Sequence, residues 1–421
     1  MAVGIDAATG SLVVNGQKFF PVGVSDPPPL GSAAPSGNDA WAEIASAGAN
    51  FIRSGRSDWS LAQIDQQVAQ ERVRMDHAGA HHLLCWPRLT EAAGNLPTTA
   101  NSPAEQLLVR IVNGLKDHPA LGAWKGVDEP ANPGRPAVIP AAGLSRAYAR
   151  LKQLDASHPV VITQAPLGSA TDLVRYRTAF DITGADIYPI AYPPGEHSDL
   201  PNKDISVVGD VTKKMTQAAG AKPVWMTLQI AWSGMLPRQQ HPDLVPRFPT
   251  LLQERFMAYQ AIVNGARGLV FFGGDLTAVM RPRDAQLGWN WTFWELILRP
   301  LLIELGSPSV RPALVAPAVA GVRASAADVE LTARDDGTYV YVIAVRRSGT
   351  LTNRVIFSGL PRRHNGTHIG AGEVVFEYAQ APLPPPIDPT KQVFRRVTVA
   401  NDGFSDWFGP HDTHVYRFAL A

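Results

Sequence analysis

Apolar positions along the first three quarters of the chain alternate between two rhythms: short continuous runs, and longer stretches with helical spacing. Ser11 to Val14 and Lys18 to Val24 flank Asn15-Gly16, which predicts a hairpin. Further strand-like runs follow at Ala49–Arg53, His81–Leu89, Leu121–Val127, Pro159–Thr163, Asp181–Tyr188, Pro223–Ile230 and Arg267–Phe272. Between them lie helical patterns at Asp39–Ala47, Leu61–Ala78, Pro103–Leu115, Ala141–Leu154, Val207–Ala219 and Leu251–Asn264, closed by Trp291–Leu305. Counting from Lys18–Val24, this is the length and rhythm of a (β/α)8 TIM barrel over residues 1–308. A doubly wound sheet is the competing α/β arrangement, but no Gly-x-Gly-x-x-Gly follows the first strand. After Ser307-Pro308 the period shortens to alternating strands separated by turn residues. Residues 309–421 therefore read as a small antiparallel β-sandwich domain, with a proline-stiffened loop at Ala381–Pro386.

The fourth strand carries the most pointed chemistry. Leu121–Val127 is a mostly apolar run that ends in Asp128 and Glu129, and Pro130 then favours an extended residue before it and stops the strand. Catalytic groups of a barrel sit at such strand tips, beneath the βα loops. Without the barrel, the two acids would read as caps of the next helix. Aromatic residues on strands or at their tips (Trp86, Trp124) and in loops (Trp232, Trp289) are suited to stacking on sugar faces. Trp225 shares the orientation of Gln229 but lies deeper, so it is expected to fill the barrel interior. Arg53 would position a hydroxyl or carboxylate, and Tyr188 a hydrogen-bonding group.

Composition narrows the partners. A net charge of +1 gives no support for nucleic acid. The single Cys85 excludes an internal disulfide framework and a thiolate cluster, and its apolar surroundings suit a buried thiol. No metal site or other cofactor is expected: His81 and His82 are adjacent and would point to opposite faces of a strand, and His411 and His414 lie far from the acids in sequence. No apolar span is long enough to cross a membrane, and the N-terminal segment lacks signal-peptide features, which leaves the compartment open.

Several motifs together resemble the glycoside hydrolases of clan A: Phe51-Ile-Arg53, Trp124-Lys-Gly-Val-Asp-Glu-Pro130, Gly184-Ala-Asp-Ile-Tyr-Pro189 and Phe408-Gly-Pro-His-Asp-Thr-His-Val-Tyr-Arg-Phe418. The resemblance implies a barrel followed by a sandwich, action on an oligo- or polysaccharide, and Glu129 as the acid/base, with Asp128 where Asn is usual. Two adjacent acids would raise the proton affinity of Glu129, as a general acid requires. The chain departs from the clan at the end of the seventh strand, where the nucleophile Glu is replaced by Gln229. Three readings follow. The enzyme inverts, with Asp186 or Asp275 as the base. Alternatively, the substrate's own acetamide attacks, oriented by Asp128. Or the chain binds carbohydrate without hydrolysing it, or carries a Glu-to-Gln substitution.

Overall fold

The computed structural model describes residues 2–134, 137–190, 198–230, 248–377 and 394–421. Trp232 and the proline-rich loop Ala381–Pro386 lie outside them. Leu12 to Phe19 folds as expected for an Asn-Gly turn: β1 (Val3–Ile5), β2 (Leu12–Val14) and β3 (Gln17–Phe19) form an antiparallel sheet, with Val14 opposite Gln17. The second arm is shorter than its apolar run predicts. It ends at Phe19, and after Pro21, which lacks an N–H for pairing, the chain starts a separate strand.

That strand, β4 (Val22–Val24), opens a closed parallel barrel with β5 (Phe51–Gly55), β6 (Leu84–Arg88), β7 (Trp124–Lys125), β8 (Val160–Gln164), β9 (Ile182–Ala185), β10 (Val224–Gln229) and β11 (Ala266–Phe272). The order runs consecutively and closes where Leu269 of β11 pairs with Val22 of β4. Helices follow the strands, and in one of them an apolar stripe and a side-chain cap coincide. Pro103–Leu115 is capped by Ser102, whose side chain accepts from Glu105 N–H, and buries Leu107, Leu108, Ile111, Val112 and Leu115. One boundary differs from expectation. Helix Ile64–Ala80 continues through the stretch that precedes β6, so His81 is its C-cap rather than the start of a strand.

The barrel interior is filled rather than hollow. Phe51, Trp86 and Trp225 meet edge-on or tilted, with centroids 5.5 to 6.1 Å apart. Val3 and Leu12 of the N-terminal sheet pack on the same cluster. Trp225 fits because Gly268 faces its ring: a Cβ there would lie 2.8 Å from the indole. Above this aromatic floor, open space lies at the C-terminal ends of the strands.

The chain forms two compact units, Met1–Phe248 with Ala266–Thr292, and Pro249–Gly265 with Phe293–Ala421. The second holds a five-stranded sheet of β13 (Val329–Asp335), β14 (Tyr339–Arg346), β16 (Ala371–Val375), β17 (Arg395–Thr398) and β19 (Thr413–Ala419). Its partner is a three-stranded sheet of β12 (Arg323–Ala324), β15 (Asn353–Ser358) and β18 (Gly403–Phe408). Their inner faces share an apolar core in which Phe357 stacks on Phe404 at 4.6 Å. Strand β14 is buried on both faces, because helix Leu251–Val263 belongs to this unit and covers the other side. Within the unit Arg255 pairs with Glu304 at 2.9 Å and donates to Thr413 O at 2.6 Å. The closing helical stretch is not uniform: Trp294–Leu298 is π-helical, ending two residues before Pro300, which cannot supply the N–H of an α-helical bond.

Glu254 on the same helix is fully buried, and its two carboxylate oxygens make no hydrogen bond among the described residues. Burial pushes its pKa well above the usual range. A carboxyl whose pKa rises on folding destabilises the fold increasingly as pH climbs through its unfolded value of 4.5. Glu254→Leu is therefore expected to raise the Tm at pH 7 and to do so less at pH 4, with a gain at neutral pH of about 1–3 kcal/mol. Calorimetric melts at the two pH values check this.

Candidate active site

A cavity of about 180 Å³ opens at the C-terminal ends of the barrel strands. Ser25, Arg53, Trp86, Lys125, Asp128, Glu129, Thr163, Asp186, Tyr188, Thr227 and Phe272 line it, so every one of the eight strands or its tip contributes. Alternation along β7 decides which side chains reach it. Lys125 points inward, buried, with its Nζ 2.6 Å from Asp128 Oδ1 and 6.0 Å from the centre of the Trp86 ring. Trp124 points outward and donates from Nε1 to Asp155 Oδ2 at 2.8 Å, which removes it from the cavity lining. Strand β7 itself is only two residues long, with Gly122 and Gly126 close by on either side. A Cβ at Gly122 would stand 2.5 Å from the Phe51 ring.

Glu129 does not adopt the extended backbone that a following proline favours. Its φ is +44°, in the left-handed region. Local bonds hold it there: Glu129 N–H donates to Thr163 O at 2.8 Å, and Asn132 donates from its backbone to Glu129 O at 3.1 Å. Asn132 Nδ2 also donates to Glu129 Oε2 at 2.8 Å. A non-glycine residue in this conformation stores strain of order ~1–3 kcal/mol and fixes the direction of its side chain.

Three carboxylates reach the cavity among the described residues, and their surroundings push two of them in opposite directions. Burial alone would raise the pKa of Asp128, but Lys125 and then Arg53, at 4.0 Å, outweigh it and hold the group ionised. Asp186, just beyond β9, is held well above the usual carboxylate range, first by burial and then by the negative charges of Glu129 and Asp128. Its side chain hydrogen-bonds to that of Glu129, and its Oδ1 is otherwise unpartnered. Like charges this close oppose the ionised form, and the proton affinity that rises is that of Asp186. Arg53 is fixed from the other side by Asp26. Burial works against its charge, but Asp26 and Asp128 prevail and keep it cationic. Tyr188 is kept a neutral phenol by burial and by Asp186, and its ring stacks on Phe272 at 5.5 Å.

The remaining sequence-selected residues lie elsewhere. Gln229 is fully buried at the end of β10 and does not line the cavity. Ile190 N–H donates to its Oε1 at 2.8 Å, and its Nε2 donates to Ile190 O at 3.0 Å. Asp275 is exposed and lines a neighbouring, arginine-rich hollow with Asp26, Arg56 and Arg88. Trp289 is fully buried, with Nε1 donating to Asp26 O at 2.8 Å. Lys125, Thr163 and Thr227 went unnoticed in the sequence. A lone Lys inside an apolar strand, with an acid three residues on, was the available signal for Lys125.

No protein-family model matches the chain, and no similar sequence is found among curated proteins. Solved structures do resemble it. A family 5 glycoside hydrolase from Bacteroides vulgatus is 11% identical with a TM-score of 0.62, covering 100% of this chain and 93% of its own. A protein described as a glycoside hydrolase is 12% identical with a TM-score of 0.62, covering 100% and 97%. A family 30 endoxylanase from Clostridium papyrosolvens is 10% identical with a TM-score of 0.52, covering the whole of both chains. The chain thus has the fold of clan A glycoside hydrolases, a closed (β/α)8 barrel with a C-terminal β-sandwich.

Proposed function

We propose that the protein is a glycoside hydrolase acting on an oligo- or polysaccharide, with Glu129 as the general acid and Asp186 sharing its proton. The supporting observation is the pair of opposed environments at one strand-end cavity, Asp186 favouring its proton and Asp128 losing it. Acid and base roles in such enzymes are set by environments that separate the pKa values of neighbouring carboxyls. Protonation of the glycosidic oxygen by the Glu129–Asp186 pair breaks the C–O bond, and positive charge develops on the sugar ring. Asp128, kept ionised by Lys125 and Arg53, is the anion available to stabilise that charge or to orient the attacking group.

This arrangement bears on the second catalytic group. Asp186 touches Glu129, whereas a carboxylate acting as base across the sugar stands ~6.5–9.5 Å away and a nucleophile ~5–5.5 Å away. Asp275 is outside the cavity. Asp128 is therefore the partner we favour, and as an anion it would accept the N–H of an acetamido group on a substrate that carries one. Arg53 at the rim suits a substrate hydroxyl or carboxylate. The test is reducing-sugar release from a panel of glycans, with and without 2-acetamido groups. Turnover that favours the acetamido glycans supports Asp128 in the orienting role. Calorimetric binding of oligosaccharide with no turnover on any glycan would instead make this a carbohydrate-binding protein on a hydrolase fold.

A further inference from the structure

Helix Ile64–Ala80 carries His77 in its last turn and His81 at its C-cap, four residues apart and so on one face. Asp39, the N-cap of helix Ala40–Ser46, meets both imidazoles. His77 Nε2 is 3.1 Å from Asp39 Oδ2, and His81 Nε2 is 3.4 Å from Asp39 Oδ1. One ligand atom from each of the three residues lies within 4.8 Å of the others. A tetrahedral ion with bonds of about 2.0–2.1 Å sets its ligand atoms roughly 3.3 Å apart, close to the 3.1 Å between His77 Nε2 and Asp39 Oδ2. A second observation points the same way: His77 Nε2 is shut off from solvent and makes no well-directed hydrogen bond, although a carboxylate lies beside it. All three side chains are 25–28% exposed, so the cluster lies close to the surface.

We propose that Asp39, His77 and His81 form a binding site for a divalent first-row metal, with Zn²⁺ the best match. Two imidazoles and one carboxylate suit a borderline-soft ion, and the fourth position is left to water. The site is independent of the hydrolase reading. Its place in the fold assigns it a structural role. The Trp41 ring lies 5.1 Å from His77, and Trp41 Nε1 donates to Pro28 O at 2.8 Å. The same loop begins at Asp26, which holds Arg53 at the cavity. A bound ion would tie helix Ala40–Ser46 to helix Ile64–Ala80 and so steady that loop.

The experiment uses the full chain, stripped with a chelator and dialysed, then titrated with zinc chloride by calorimetry and melted with and without the metal. We expect saturable one-to-one binding and a Tm higher by a few degrees with Zn²⁺. His77→Ala and Asp39→Asn should each weaken binding by more than ~10-fold. Asp39→Asn is the more telling variant, because Asn caps a helix as well as Asp does and leaves the fold in place. Absence of one-to-one binding in the parent protein would overturn the proposal, as would unchanged affinity in Asp39→Asn and His81→Ala.

Discussion

Glu129→Gln is expected to lower kcat/KM by a factor of ~10² or more, the scale of a lost general acid, while the melting temperature stays near that of the parent. The amide keeps the shape and can still accept from Asn132 Nδ2, which now meets the Glu129 carboxylate at 2.8 Å. What it loses is the transferable proton and the carboxyl–carboxyl bond to Asp186. Activity on a substrate with a good leaving group should fall less than activity on a natural glycan, because protonation matters most when the leaving oxygen is basic. Kinetics on the two substrate types, with a melt of each protein, checks this. Retained activity on the natural glycan would remove Glu129 from the mechanism.

The second large effect concerns Gln229. Its side chain matches one backbone N–H and one backbone C=O of Ile190, a pairing that an amide satisfies on both sides. A carboxylate there would accept from the N–H but set an oxygen against the carbonyl, in a fully buried place. Gln229→Glu is therefore expected to cost at least about 1–3 kcal/mol of stability and to bring no gain in hydrolysis. If this position instead belonged to a nucleophile lost by substitution, restoring Glu would raise turnover sharply. Denaturant unfolding and product release, measured on the same preparation, separate the two outcomes.

Much of the architecture was legible because local and global signals agreed. Helix Pro103–Leu115 had a Ser cap, a proline at its first position and a clean apolar stripe, and it folds over that span. The barrel followed from repetition of such units. The site was less legible, for reasons that reside in the third dimension. Alternation put Lys125 in the cavity and Trp124 outside it, but a two-residue strand gives little sequence from which to read phase. Adjacency suggested that Asp128 would raise the proton affinity of Glu129. In the fold Asp128 is held ionised by Lys125 and Arg53, and the group whose proton affinity is raised is Asp186, fifty-seven positions beyond Glu129 in sequence. Pro130 predicted extended backbone at Glu129, whereas hydrogen bonds from Glu129 N–H to Thr163 and from Asn132 to Glu129 O hold it left-handed. Among the tryptophans, Trp86 reaches the cavity while Trp289 spends its N–H on the Asp26 carbonyl.

The proposed sharing of a proton by Glu129 and Asp186 is tested most directly by the pH dependence of kcat/KM for the parent protein and for Asp186→Asn, on whichever glycan the parent hydrolyses. Because the Asp186 pKa is raised, the proton-bearing pair is fully formed at low pH and is lost as pH rises, giving the parent an alkaline limb displaced upwards. With Asn at 186 the like-charge repulsion is gone, and that limb should move to lower pH by about one unit or more. A limb that stays in place would show that Asp186 does not share the catalytic proton.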